Sequence, residues 1–234
     1  MLAIVMRLLG YRKETERVKK KGLRILAAAA VLTFGCLTMN AYAAEGWALS
    51  NNIWTYLDKN GNRVTNEWKK GADNLWRYLN NSGEMAVNSW ADNDYYVDAN
   101  GIMVADKWMQ IASPYSRDSQ TYWFYFGSSG KVTKDTWKKI DGKSYYFDAD
   151  GIMQTGWQNV NGNWYYLNSK GAMQTGWLLK EGKYYFLNTD GTMAYGWVNS
   201  QGSWYYFQKP DGDMLTNAYA PDGRYVNAEG VLIQ

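Results

Sequence analysis

Short aromatic segments recur along most of the chain, each flanked by turn residues. In residues 164–167 (WYYL), neighbouring side chains face opposite sides of an extended strand, so Trp164 and Tyr166 share one face. Asn161-Gly162, just before this segment, are typical of a two-residue hairpin turn because both central residues favour positive φ. The pattern predicts β-hairpins, and a single hairpin is at best marginally stable in water.

These segments repeat with a period of about 20 residues. The spacing is clearest for four tryptophans that stand 20 residues apart: Trp137, Trp157, Trp177 and Trp197. Similar segments reach back to Trp47 with uneven spacing, which gives eight units, and a degenerate ninth spans 219–234. Hairpins repeated in this way bury their faces against their neighbours. The sequence therefore predicts an all-β solenoid of stacked hairpins, divergent in 44–136 and regular in 137–234, with a degenerate C-terminal cap.

The N-terminal 43 residues have a different pattern. A basic patch at 19–24 precedes an uncharged apolar run at 25–39, and Ala41-Tyr42-Ala43 follows as a small-x-small sequence. This order is typical of an export signal. We therefore expect 1–43 to comprise an N-terminal extension and a helical signal segment, cleaved after Ala43 or one residue later, that meets the membrane only during export. An uncleaved anchor is the alternative, but the run of about 15 residues is shorter than the ~20 needed to cross a bilayer.

The net charge of +3 comes from the N-terminus. Residues 1–43 contain eight basic and two acidic side chains, which leaves 17 basic and 20 acidic side chains in the rest of the chain. A protein that binds nucleic acid needs a basic surface in its folded part. The repeats lack that excess of positive charge, so we expect no nucleic-acid partner.

The composition also excludes several kinds of catalytic site. The chain has no His, and its only Cys is Cys36, inside the apolar run. Ser–His and Cys–His nucleophiles are therefore absent, as are thiolate and imidazole metal sites. Recurrent acidic residues precede glycines in turn segments, where turn chemistry accounts for them. They are Asp58, Asp98, Asp148, Asp150, Asp190 and Asp211. We expect no catalysis, no metal site and no cofactor.

All 13 tryptophans lie at or beyond Trp47, so the rings either form a repetitive core, display themselves to ligands, or do both. Three motifs resemble the choline-binding, or cell-wall-binding, repeat family of Gram-positive surface proteins. They are Gly156-Trp157, Trp164-Tyr165-Tyr166-Leu167 and 171–177 (GAMQTGW). The resemblance extends from about residue 46 to the C-terminus. Related repeats occur in the glucan-binding regions of glucansucrases.

The resemblance implies a left-handed solenoid that binds ligands where consecutive repeats meet. Each choline would lie in a cage made by the leading Trp of a repeat, the first ring of its aromatic strand, a ring from the next repeat and often a Met. Carried onto this chain, the best cages use Trp157, Trp164 and Tyr185; Trp177, Tyr184 and Tyr205; and Trp197, Trp204 and Tyr225; with Met173 and Met193 as methionines. Weaker candidates are Trp47 with Trp54, Trp68 with Trp76, and Trp108 with Trp123.

Some units depart from this pattern. Asp94 and Ser144 stand where the first ring of the aromatic strand is expected, so the sites beginning at Trp90 and Trp137 are predicted to be empty or altered. Arg63 replaces a methionine, which would place a cation near the first site.

Cation–π attraction supports the choline interpretation. A quaternary ammonium is weakly hydrated, and each ring face contributes about 0.5–2 kcal/mol. We therefore predict a non-catalytic, secreted, cell-wall-associated protein that binds choline on teichoic or lipoteichoic acid. Three alternatives stay open: binding of α-glucan or another wall polysaccharide, a structural or adhesin role, and a wall-hydrolase fragment whose catalytic domain lies elsewhere.

Overall fold

The computed structural model describes residues 45–116 and 120–233, and the predicted signal segment lies outside them. All regular elements in these ranges are β-strands, paired as nine antiparallel two-stranded hairpins. In chain order the pairs are β1 Gly46–Ser50 with β2 Ile53–Leu57, β3 Glu67–Lys70 with β4 Trp76–Leu79, β5 Ser89–Ala91 with β6 Tyr95–Val97, β7 Lys107–Ala112 with β8 Thr121–Phe126, β9 Thr136–Ile140 with β10 Lys143–Phe147, β11 Gly156–Val160 with β12 Asn163–Leu167, β13 Gly176–Lys180 with β14 Lys183–Leu187, β15 Gly196–Ser200 with β16 Ser203–Phe207, and β17 Ala218–Tyr219 with β18 Tyr225–Val226. The predicted hairpins are therefore confirmed. Over the described ranges, no helical segment has the length and apolar character needed to cross a bilayer.

The turn inside each regular hairpin follows the sequence signal. Asn161 has φ of 53° and Gly162 has φ of 82°, so both central residues are left-handed, as a type I′ turn requires. Glu181 occupies the same left-handed position with φ of 52°, although glutamate has no special preference for it. The second turn residue is a glycine in each of the regular hairpins, whereas the first one varies, so the glycine is the constant part of the turn sequence.

The turns that connect one hairpin to the next use the recurrent Asp and Asn residues. The Oδ1 atom of Asp148 accepts hydrogen bonds from the backbone N–H groups of Asp150 (3.0 Å) and Ile152 (2.8 Å). Asn168 does the same for Lys170 and Ala172, at 2.9 and 3.1 Å. These side chains replace backbone partners that a tight turn leaves unpaired.

Consecutive hairpins are linked by one recurring backbone hydrogen bond. The N–H of Met193 donates to the carbonyl oxygen of Trp164 in the preceding hairpin, at 2.7 Å. The same bond joins Met85 to Trp54, Met103 to Trp76, Met153 to Trp123, Met173 to Ser144, Met214 to Tyr184 and Leu232 to Trp204. We call each place where one hairpin meets the next a join, and name it after the leading tryptophan of the earlier hairpin.

The described residues form two compact units. The first comprises 45–105 with 128–131, and the second comprises 106–116, 120–127 and 132–233. The last residue of the aromatic strand is fully buried and forms the core in every hairpin but the first, where Leu57 is half-buried; examples are Leu79 in the first unit and Phe147 and Phe207 in the second. Each site described below lies within a single unit.

Candidate functional site

The Trp157 join forms an open cage of three rings and a methionine. Trp157 comes from β11 and Trp164 from β12 of the same hairpin, with ring centroids 6.5 Å apart and planes at 87°. Tyr185 comes from the next hairpin and lies 5.0 Å from Trp157 at 66°. With Met193, these side chains line a cavity of about 220 Å³.

The strand register explains why these side chains meet. Trp157 lies opposite Tyr166 in the β11–β12 pair, and their rings contact edge-to-face at 5.1 Å. This contact fixes the leading ring from within its own hairpin. Met193 is placed by its backbone hydrogen bond to Trp164, so the sulfur-bearing side chain is brought to the ring that it must face.

The Trp177 join repeats the arrangement. Trp177 and Tyr184 have centroids 6.2 Å apart at 86°, and Tyr205 of the next hairpin lies 4.7 Å from Trp177. With Met214 these residues line a cavity of about 560 Å³. The indole N–H of Trp177 also donates to the hydroxyl of Ser200 at 3.0 Å, which fixes the orientation of its ring.

The Trp108 join is the third cage in the second unit. Trp108 lies 6.4 Å from Trp123 at 81° and 4.9 Å from Tyr145 of the next hairpin. With Met153 they line a cavity of about 370 Å³. The register of this hairpin is the same as in the others, with Gln110 opposite Trp123, although the sequence between β7 and β8 is longer than the two-residue turn of the regular hairpins.

The first unit contains one cage, at the Trp68 join. Trp68 lies 5.4 Å from Tyr95 of the next hairpin, and with Trp76 and Met103 they line a cavity of about 240 Å³. This cage differs from the others in one respect. The amine of Lys70, which lies opposite Trp76 in the strand pair, is 4.9 Å from the centroid of the Trp76 ring.

The first ring of the aromatic strand is exposed in all four cages. Relative exposure is 40% for Trp76, 42% for Trp123, 38% for Trp164 and 45% for Tyr184, whereas Trp54 at the equivalent position is only 8% exposed. A ring that only packs in the core has no reason to remain exposed to this extent. The exposure of these four rings is therefore not explained by core packing.

The Trp197 join holds a cation of its own. The guanidinium carbon of Arg224 lies 4.2 Å from the centroid of the Trp197 ring. Asp222 accepts hydrogen bonds from the Trp197 indole N–H (2.7 Å) and from Nε of Arg224 (2.9 Å), which fixes both groups. The hydrogen bond from Arg224, followed by that from Trp197, lowers the pKa of Asp222 to about 2.

The choice of Tyr225 as the closing ring was wrong by one residue: Tyr225 pairs with Tyr219 in its own hairpin, as Tyr206 pairs with Trp197, so Arg224 holds the closing position. The hydroxyl of Tyr225 donates to Oδ1 of Asn217 at 2.6 Å, and its ring lies 4.9 Å from that of Tyr219. Trp204 remains 44% exposed. The predicted set of Trp197, Trp204 and Tyr225 is therefore not brought together as an open cage, since Arg224 covers the leading ring.

The Trp47 join lacks the ring supplied by the next hairpin. At that position stands Arg77, which is 1% exposed and ion-paired to Asp73 at 2.7 Å. This hydrogen-bonded pair lowers the pKa of Asp73. Trp47 contacts Tyr56 of its own hairpin at 5.5 Å, and Trp54 is buried. The structure therefore leaves no open cage at this join.

Arg63 is not the residue that alters the Trp47 join. It bridges to Leu57 within the connecting turn of its own hairpin and is exposed. The methionine position of this join is held by Met85, whose N–H bonds to Trp54 at 2.7 Å. The expectation about Arg63 was wrong because the methionine of each hairpin lines the join with the preceding hairpin. Arg63 holds the methionine position of the first hairpin, so it does not belong to the Trp47 join.

The Trp137 join has no exposed first ring. At the Trp137 join, Trp137 and Tyr165 lie 4.8 Å apart, but Ser144 stands in the place of the exposed ring. Met173, selected from the sequence as a cage methionine, belongs to this join through its bond to Ser144. In the first unit, Asp94 forms an ion pair with Lys131 at 3.3 Å.

Sequence reasoning did not single out several of the residues that line the cages. They are Tyr95 and Tyr145, together with Asp92, Ser129, Lys170 and Glu229 at the rims. Met103, Met153 and Met214 recur in a Gly-x-Met motif that predicts packing residues with some contact to the cages, and Asp211 is a predicted turn residue. A signal for Tyr95 and Tyr145 was present, since each occupies in the next repeat the position that Tyr185 occupies. The rim residues come from farther along the chain and have no such signal.

The described residues offer no other obvious chemistry. Across 45–116 and 120–233, no group of three or more His, Cys, Asp or Glu side chains is placed to hold a metal ion. Four of the acidic residues noted in the sequence, Asp58, Asp98, Asp148 and Asp190, accept hydrogen bonds inside their turns. The pKa of Asp58 is lowered chiefly by the hydrogen bond from the backbone N–H of Asn62.

Family comparisons agree with this geometry. A profile described as a choline-binding repeat matches residues 44–90, 154–190 and 180–219. A second profile, described as a putative cell wall binding repeat, matches 135–153. No curated protein sequence matches the chain at a significant level.

Solved structures give the same answer. Choline binding protein F from Streptococcus pneumoniae is 36% identical, with a TM-score of 0.62 over 77% of this chain and 61% of that chain. The modular autolysin LytC from the same organism is 30% identical, with a TM-score of 0.63 over 80% of this chain and 41% of that chain. The chain thus spans less than two thirds of the length of either protein. By its repeats, its hairpins and these matches, the chain belongs to the choline-binding repeat family.

Proposed function

We propose that this chain binds choline groups at four cages, those of the Trp68, Trp108, Trp157 and Trp177 joins, and that it thereby attaches to choline-bearing teichoic or lipoteichoic acid on a cell surface. The observation that carries the proposal is the exposed first ring, which recurs at these four joins and forms an open cavity with the same three partners. The protein acts as a binding module without catalysis of its own.

The cage geometry suits a small rounded cation. At the Trp157 join the planes of Trp157 and Trp164 meet at 87° and those of Trp157 and Tyr185 at 66°, so the rings surround a group from several sides. A flat sugar ring is recognised best by a flat ring face beside it, whereas three trimethylammonium methyl groups contact several steeply inclined faces together. Attraction between the cation and each ring contributes about 0.5–2 kcal/mol.

Four weak sites become strong on a polymer. On a polymer that carries many cholines on one chain, the second and later contacts are intramolecular. This requires that several cages face the same polymer at once. We infer that the hairpins stack as a solenoid, with divergent repeats in 44–136 and regular repeats in 137–234, and that 1–43 directs export of the protein to the cell surface.

Titration of tryptophan fluorescence tests the proposal. The full chain is titrated with choline, with tetramethylammonium and with glucose oligomers. A saturable change with both quaternary ammonium ions but not with the glucans supports choline binding. A response to the glucans alone contradicts it and moves the function to polysaccharide binding. A silent titration contradicts it too and leaves the structural or adhesin role and the wall-hydrolase fragment.

A matched pair of variants assigns the response to the cages. Trp164→Ala removes the exposed ring of the Trp157 cage, and Trp204→Ala removes a ring of similar exposure, 44% against 38%, at the join that Arg224 covers. We expect Trp164→Ala to lower the number of bound cholines by one and Trp204→Ala to leave it unchanged. Equal loss in both variants would contradict the assignment of sites.

A further inference from the structure

Each cage is rimmed by a residue from the connecting turn two hairpins farther along the chain. The rim residues are Ser129 at the Trp68 cage, Lys170 at the Trp108 cage, Asp211 at the Trp157 cage and Glu229 at the Trp177 cage. All four stand immediately before the glycine of their turn, and all four are exposed. The same rule therefore holds in both units.

Contact between the glycine and the cage methionine explains this placement. Gly212 has φ of 78°, and a Cβ on it would approach the sulfur of Met193 to 2.5 Å, too close for any side chain. Gly171 is related in the same way to Met153, and Gly230 to Met214. Because the turn lies directly on the methionine that forms one wall, the residue before the glycine is placed at the cage mouth.

The four rim residues differ in charge although the cage walls do not. Lys170 is basic, Asp211 and Glu229 are acidic, and Ser129 is neutral but shares the lining of the Trp68 cage with Asp92. Lys170 forms no ion pair with any carboxylate of residues 45–116 or 120–233. Its amine is therefore available to an anionic group of a ligand in the Trp108 cage.

We propose that the rim residue selects the chemical form of the ligand, so that the Trp108 cage takes the phosphocholine ester of the wall polymer through Lys170, while the Asp211 and Glu229 cages favour a ligand part that is only cationic. This inference rests on the proposed function. In phosphocholine two carbons separate the ammonium from the phosphate. When the ammonium lies inside the cage, the phosphate therefore lies at the cage mouth, beside the rim residue. A hydrogen bond from the protonated amine of Lys170 to the phosphate is favourable at the rim, whereas a carboxylate at the same place repels the phosphate.

Variants that keep a single cage give the test. In the full chain, Trp76→Ala, Trp164→Ala and Tyr184→Ala together remove the exposed rings of three cages and leave the Trp108 cage. Calorimetric titrations with choline and with phosphocholine then report on one site. We expect phosphocholine to bind about threefold more tightly than choline, the size of an exposed charge pair.

Adding Lys170→Gln should change the two affinities in opposite directions. Phosphocholine should weaken about threefold, while choline should bind slightly more tightly because a like charge is removed. Damage to the fold would weaken both ligands, so this result separates selection from structure. Lys143→Gln, at an exposed lysine of β10 that lines no cage, is the control and should change neither affinity.

The Trp157 cage provides the reverse test. In a chain with Trp76→Ala, Trp123→Ala and Tyr184→Ala only the Trp157 cage remains, and it should bind choline more tightly than phosphocholine. Asp211→Lys should then reverse this preference.

Equal ratios of the two affinities before and after Lys170→Gln and Asp211→Lys would overturn the inference and leave choline binding standing. Absence of binding by both ligands would overturn the proposed function as well. Tighter binding to phosphatidylcholine vesicles than to choline-bearing teichoic acid would overturn the wall polymer as the source.

Discussion

The Trp157 and Trp197 joins of the second unit have nearly the same aromatic sequence, but the first is an open cage and the second is covered by a cation of the protein. Both have a leading Trp held by a ring of its own hairpin, at 5.1 Å from Tyr166 and 5.2 Å from Tyr206, and both expose a second Trp. The first is completed by the neutral ring of Tyr185, the second by the guanidinium of Arg224 at 4.2 Å. Aromatic rings at the repeat spacing therefore do not suffice to form a binding site. The residue that the next hairpin places on the leading Trp determines whether the join is open to a ligand.

The covered join also supports the chemistry proposed for the open ones. The molecule places its own cation on a leading tryptophan, and Asp222 holds that cation in position. A ring face in this setting thus stabilises positive charge. The predictions below test whether the open joins do the same for a ligand.

The largest difference between the two joins should come from their leading rings. Trp157→Ala removes contacts with Trp164, Tyr166 and Tyr185 together, so we expect the loss of one choline site and a decrease of about 2 kcal/mol in the free energy of unfolding. Trp197→Ala should lower stability without loss of a site. Calorimetric stoichiometry and denaturant unfolding measure the two effects, and loss of a site in both variants would remove the distinction.

Removal of Arg224 should have the next largest effect. Arg224→Ala uncovers Trp197 beside the exposed Trp204, and we expect one additional weak site for tetramethylammonium, with ring contributions of about 0.5–2 kcal/mol each. Arg224→Lys, which keeps a cation near the ring, is the control and should keep four sites. An Arg224→Ala chain that still binds four would show that the covered join lacks more than an open ring face.

The comparison also shows how far the sequence can predict the site. The strand pattern and the Asn-Gly turns are local, so the hairpins and the Trp157–Trp164 pair follow from spacing alone. The ring supplied by the next hairpin also follows, since a fixed period places Tyr185 and Tyr205 alike. The presence of Arg224 over Trp197 does not follow from a fixed period, because the last hairpin departs from it. Tyr225 pairs with Tyr219 as Tyr206 pairs with Trp197, so Arg224 takes the position from which Tyr205 closes the Trp177 cage, and Asp222 holds its guanidinium there.

Two other features depend on packing between hairpins. Trp54 has the same position in its repeat as Trp164, but only the structure shows that it is buried, in a join where Arg77 replaces the next ring. Lys170 lies about 60 residues from Trp108 and reaches its cage because a glycine of the same turn rests on Met153. A one-repeat pattern cannot predict a contact between a cage and the second hairpin after it.

A smaller effect is expected within the Trp68 cage. The amine of Lys70 lies 4.9 Å from the Trp76 ring and competes with a bound cation, whereas Asn159 occupies the equivalent place opposite Trp164. Lys70→Gln should therefore strengthen choline binding at the Trp68 cage by about 0.5 kcal/mol. Titration of a chain that keeps only this cage measures the change, and Asn159→Gln in a chain that keeps only the Trp157 cage is the matched control. Weaker binding in Lys70→Gln would mean that the lysine helps to hold the ligand.

The smallest effect should be that of mild acid on the Trp197 join. The pKa of Asp222 is lowered from 3.8 to about 2 in the folded chain, so its pairing contributes fully above pH 3.8 and is lost only as the pH falls through about 2. Arg224 stays charged throughout this range. Between pH 7 and pH 4 the ring of Trp197 should therefore remain covered, and tetramethylammonium should occupy four sites at both values. A fifth site at pH 4 in the unmodified chain would mean that Asp222 does not hold Arg224 on the ring, and that the difference between the Trp157 and Trp197 joins has another cause.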